Sequence, residues 1–99
     1  MRDNPLEVRW LKRALANLEA EAEYIARDSP VAAKRVVAAI EQSVQYLARY
    51  PMLGRPGRVA GTRELVVPGT PYVIPYRVQE RRVVVLRVFH GARKWPPKL

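Results

Sequence analysis

The spacing of apolar residues changes period once along this chain, and that change decides most of what the chain can fold into. Leu11, Leu15, Leu18, Ala22 and Ile25 step by four and three, and Ala33, Val36, Val37, Ile40, Val44, Leu47 and Ala48 keep the same rhythm. Such spacing lines one face of an α-helix. From residue 62 the rhythm becomes two: "TRELVV" (62–67), "YVIPYRV" (72–78) and "RVVVLRVF" (82–89) read as strands, because alternate side chains of a strand share a face. Between the two regimes lies "PMLGRPGRVAG" (51–61), whose two prolines and three glycines predict a connecting loop.

The punctuation fits this reading. "LEVRW" (6–10) alternates as a short leading strand, with Leu6, Val8 and Trp10 on one face. A first helix spans 11–27 and stops at "DSP", where Ser29 is suited to cap a second helix and Pro30 to begin it. Proline is harmless at that position because its missing N–H would be unpaired there anyway. The second helix ends before Pro51. A linker this short folds the helices back as an antiparallel hairpin. "PGTP" and "QER" then separate the last three strands at hairpin spacing. The expected architecture is α+β in a single domain over 1–99: an N-terminal strand, an antiparallel two-helix hairpin and a three-stranded antiparallel meander joining one sheet, βααβββ. Pro75 lies within the middle strand, where every N–H is needed, so a bulge or an outward-pointing nitrogen is expected there.

Charge narrows the function classes. The chain has 18 Lys and Arg against 9 Asp and Glu, unevenly placed: residues 1–49 carry 8 basic and 7 acidic side chains, residues 50–99 carry 10 and 2. The net charges of the two halves are thus +1 and +8. A field of this kind attracts polyanions, either nucleic acid or an acidic protein segment. Without cysteine and with one histidine, the chain offers neither disulfide nor thiolate chemistry and a poor donor set for zinc. No cofactor or metal is expected. The sequence contains no apolar run of the length a signal peptide or membrane span needs, so a cytoplasmic protein without a membrane partner is the expectation. Phosphate-binding loops, serine triads and paired catalytic carboxylates are also missing.

The candidate site residues gather in the second half. His90 ends the last strand beside Arg93 and Lys94, where an imidazole exchanging a proton and cations neutralising a phosphate would suit RNA cleavage. A hydrogen-bonded surface histidine is the plainer role. Trp95 is open to two readings, a platform for a base or packing beneath the strand ends. Arg63, Arg77 and Arg87 lie on neighbouring strands and would form a cationic stripe across the sheet, or a solvated face. Glu64 has the chemistry of a general base or of an ion-pair partner, and Arg55 and Arg58 in the loop suit a phosphate or a carboxylate.

The order of elements, with "TREL", "YVIPYRV" and "VVVLRVFHGARKWP", resembles the RelE/ParE superfamily of type II toxins from "VRW" to "KWP". The resemblance implies a small basic toxin, causing growth arrest, that a cognate acidic antitoxin wraps and inactivates in a hetero-oligomer. RelE-like members cut mRNA on the ribosome with strand lysines and arginines, whereas ParE-like members poison DNA gyrase. Laid over the RelE pattern, the two strand lysines fall at Thr62 and Glu64 and the next-strand arginine at Val73. Arg93 matches the C-terminal arginine, and the tyrosine position falls near Leu99. Loss of three cations favours a ParE-like gyrase inhibitor of the plasmid-stabilisation type that contacts its target through Arg63, Arg77, Arg87, His90, Arg93, Lys94 and Trp95. The alternative is a ribosome-dependent endoribonuclease with His90 and Arg93 as catalytic groups.

Overall fold

In the computed structural model, which describes residues 4–93, 95, 96, 98 and 99, eight elements follow the expected order. Lys94 lies outside the described residues. Strand β1 (Glu7–Trp10) leads into helix α1 (Lys12–Ala26), and three residues later helix α2 (Pro30–Leu47) begins. The Ser29 hydroxyl oxygen accepts the Ala32 N–H at 3.1 Å, so an otherwise unpaired donor of the first turn is satisfied and Pro30 takes the first helical position. Ala14 and Leu18 of α1, with Ile40, Val44 and Leu47 of α2, turn inward, and the hairpin covers one face of a sheet.

Five strands follow one another across the sheet in the order β1, β5, β4, β3, β2, where β2 is Arg55–Pro56, β3 Arg63–Val66, β4 Tyr72–Gln79 and β5 Arg82–Val85. β1 runs parallel to β5, and the remaining pairs are antiparallel. Burial of Leu65, Ile74, Tyr76, Val83 and Val85 against the helices accounts for the alternation read in the sequence. The 51–61 segment is not entirely loop, because Arg55 and Pro56 pair with Glu64 and Arg63. It is fastened by Tyr76, whose hydroxyl donates to the Pro51 carbonyl at 2.7 Å and accepts from Gly54 N–H at 2.8 Å. A Cβ at residue 54 would stand 2.6 Å from the Tyr76 ring, so glycine is required by the close approach.

The last predicted strand is divided. β4 pairs with β5 through Tyr76↔Val85, then with β6 (Phe89–His90) through Val73↔Phe89, so two residues on β4, Ile74 and Pro75, face three on the other side. That extra residue is a bulge, and it falls opposite Pro75, the residue that has no N–H to give. Pro75 still accepts the Leu86 N–H at 2.9 Å through its carbonyl, while the Val88 N–H is taken by the Asn17 side chain of α1 at 3.2 Å. The bulge also changes parity. Val83 and Val85 face the helices before it and Val88 after it, so the strict alternation of a single strand over 82–89 does not hold.

Candidate functional site

Strand register sorts the candidate residues onto two faces. Arg63 pairs with Tyr76, so it stands on the helix-facing side, where its guanidinium donates to the Gly54 carbonyl. Arg77 pairs with Val84 and stands on the outer side. A stripe through Arg63, Arg77 and Arg87 therefore does not form. Arg9 replaces Arg63, because it also registers with Val84 and shares the outer face with Arg77 two strand spacings away, about 10 Å. Among the described residues neither Arg9 nor Arg77 has an ion-pair partner.

On the β3–β2 side of the outer face lies a carboxylate clamp. Glu64 is only 4% exposed; its Oε1 meets Arg55 at 3.2 Å and its Oε2 meets Arg58 Nε at 3.0 Å and the Arg58 backbone N–H at 2.9 Å. Burial alone would push the Glu64 carboxyl up, but the Arg58 backbone and guanidinium donors and the Arg55 donor outweigh it, so the group is held below its ordinary value. An anion held this way has no free basicity, and Glu64 is a structural ion-pair partner. Beyond the clamp, Arg58 lies over the Trp95 ring at 3.6 Å, Trp95 stacks on Phe89 at 4.7 Å between ring centres, and Arg87 sits 5.5 Å from the Phe89 ring. Trp95 thus packs on the outer face, between the Arg58 guanidinium and the Phe89 ring.

His90 and Arg93 stand elsewhere. His90 pairs with Tyr72 on the helix-facing side and meets its ring edge-on at 5.6 Å. Glu21 of α1 gathers this end of the sheet: it accepts the Tyr72 hydroxyl at 2.9 Å and forms an ion pair with Arg93 at 2.6 Å, while Arg93 also lies 5.7 Å from the Tyr24 ring. Burial, aided by the Glu21 carboxylate, pushes the Tyr72 hydroxyl up to about 12, so it stays protonated near neutrality. The His90 Nδ1 accepts the Ala92 N–H at 3.2 Å, which in the neutral ring assigns the proton to Nε2. That nitrogen is then a donor and not a base. The groups a nuclease would combine are divided by the sheet, with Arg77 and Arg87 on one side and His90 and Arg93 on the other.

Nothing in the sequence spacing announced these partnerships. Glu21 and Arg93 are 72 residues apart, and the Arg58–Trp95 stack joins a loop to the C-terminal segment. Among the described residues no group of His, Asp and Glu is placed to hold a metal, and no helix is long and apolar enough to cross a membrane.

The sequence profile of a family described as the ParE toxin of the type II toxin–antitoxin system parDE matches residues 8–95. The chain belongs to the ParE toxin family. It is 50% identical over 92 residues to a Sinorhizobium fredii protein whose name describes it as a toxin, Y4kP, covering 93% of this chain and 95% of that one. It is 44% identical over 87 residues to Toxin RelE2 of Caulobacter vibrioides, covering 88% and 97% of the two chains. The fold superposes on a chain of the chromosomal ParDE system of P. aeruginosa with a TM-score of 0.78 at 28% identity, covering 86% and 95%. A chain of the RelBE2 toxin–antitoxin complex of Mycobacterium tuberculosis superposes with a TM-score of 0.65 at 30% identity, covering 88% and 99%. The ParE-family fold thus carries both ParE and RelE names among its relatives, and the names do not separate the two targets.

Proposed function

We propose that this ParE-family toxin acts by binding DNA gyrase, with no RNA cleavage of its own, and that a cognate acidic antitoxin neutralises it in the cytoplasm. The observation that carries this reading is the Glu64 clamp. Where the RelE-like pattern has a strand cation, this chain buries a carboxylate and spends Arg55 and Arg58 in neutralising it. A cation aimed at a developing phosphorane contributes about 3 kcal/mol to the transition state, and a buried anion at that place opposes it. The division of His90 and Arg93 from Arg77 and Arg87 by the sheet supports the same conclusion.

For the antitoxin, the fitting surface is the apolar groove of about 380 Å³ between α2 and the β3 edge, lined by Tyr46, Leu53, Leu65, Val66 and Pro68, with Arg55 at its rim. An amphipathic acidic segment matches both the lining and the charge. The deciding experiment is a gyrase supercoiling and cleavage-complex assay with antitoxin-free protein, repeated after adding the antitoxin. Loss of supercoiling with accumulation of cleaved DNA, reversed by antitoxin, is the expected result, and His90→Ala retains it. Ribosome-dependent mRNA cleavage by protein that leaves gyrase untouched overturns the reading in favour of a RelE-like endoribonuclease.

A further inference from the structure

The outer face of the sheet already holds an occupant, and it belongs to the chain itself. Trp95 is flanked by the Arg58 guanidinium at 3.6 Å and the Phe89 ring at 4.7 Å, inclined by 46°. Phe89 stands beside Val73, and Arg58 is bound to Glu64, which stands beside Pro75. The indole therefore spans an apolar strip formed by Val73 and Pro75, both of which are buried although they point away from the helices. A few residues on, the Leu99 carbonyl oxygen accepts the Arg87 Nε–H at 3.3 Å. One flat ring in a cation–aromatic slot and one oxygen on a neighbouring guanidinium are what a nucleotide would present as base and phosphate.

The fit of the resident is imperfect. The Trp95 Nε1–H is buried with no hydrogen-bond partner among the described residues, a cost that partly offsets the stacking and cation–π contacts. From these observations we infer that the Arg58–Phe89 slot is a binding site for a base of single-stranded nucleic acid. The Trp95 ring and the Leu99 carbonyl act as an intramolecular stand-in that such a strand displaces. Arg87 and Arg77 then take the phosphates, while Arg9 extends the cationic row along the same face. A duplex keeps its bases stacked inward and offers no ring to the slot, and an acidic peptide brings charge without a purine- or pyrimidine-sized plane. This inference concerns the ligand of the outer face and stands whether gyrase or the ribosome is the target, so failure of gyrase inhibition leaves it intact.

The test is anisotropy titration of fluorescein-labelled octathymidylate with the full chain, at fixed ionic strength, against an equal-length duplex and a labelled oligoglutamate. Trp95→Gly empties the slot and strengthens octathymidylate binding on the order of tenfold, the gain expected when a site is closed about nine-tenths of the time. Phe89→Leu or Arg87→Gln, added to Trp95→Gly, removes most of that gain without disturbing the Glu64 clamp. In a Trp10→Phe background, octathymidylate shifts Trp95 emission to the red as the indole leaves its slot. Binding by Trp95→Gly no tighter than by the parent, or an unshifted Trp95 emission at saturation, overturns the inference. An equal gain for the duplex overturns it in favour of a general charge effect, and an equal gain for oligoglutamate in favour of an acidic protein segment.

Discussion

Replacing Glu64 by glutamine tests the clamp that ties β3 to β2 and the loop after it. The carboxylate accepts from the Arg58 backbone, the Arg58 side chain and Arg55 while being 4% exposed. Hydrogen bonds to a charged group contribute about 1.5–3 kcal/mol each when buried, but the two arginines are 55% and 52% exposed. Water solvates them once the anion is gone, so the ion-pair share is discounted. Glutamine keeps an acceptor for the Arg58 N–H. The net loss is about 2 kcal/mol at pH 7, built mainly from the two guanidinium contacts. The pH dependence has a definite sign. The folded-state pKa of Glu64 lies below the ordinary value of 4.5, so its contribution is fully present above that value. As pH falls through the lower folded pKa, the contribution is lost. Urea unfolding of both proteins at pH 7 and at pH 3 measures this, and the gap between them narrows at pH 3. A gap below about 0.5 kcal/mol at pH 7, or one that does not change between the two pH values, refutes a carboxylate held charged by the clamp.

Two further perturbations examine how the site is positioned. Glu80 and Arg81 join β4 to β5 with φ of 50° and 62°, the left-handed region that costs a side chain about 1 kcal/mol or more. Arg81→Gly therefore raises the melting temperature by several degrees, despite losing an exposed 3.3 Å bond to the Asn4 carbonyl; a lower melting temperature counts against the strain. Asn17→Ala leaves the buried Val88 N–H without its acceptor and costs about 1–2 kcal/mol in chemical denaturation, with an unchanged midpoint showing that the bulge is capped some other way.

Much of the fold was legible because its signals are local. Ser29 and Pro30 define the second helix through capping chemistry, and Pro51 closes it, within a few residues of where the structure places both ends. The strand β2 was not legible, since two residues cannot display a period and Arg55–Pro56 is a strand only because Glu64 and Arg63 lie beside it. Pro75 signalled a bulge, but its consequence, the reversal of inward and outward faces between Val85 and Val88, depends on which partner residue is skipped. The candidate site was legible as a collection of residues and not as an arrangement. Arg63 was grouped with Arg77 by neighbouring strands, whereas register puts them on opposite faces and brings in Arg9 from the far end of the chain.

The sequence by itself determined both helices and the longer strands, their order, the polarity of charge and the resemblance to a toxin superfamily, because capping, periodicity and composition act through neighbours in the chain. Tertiary structure alone decided that Glu64 is clamped, that Arg93 answers to Glu21 and that Trp95 lies between Arg58 and Phe89. Those pairings join residues brought together by strand register and helix docking, and a register shift of one residue would exchange the faces and undo them.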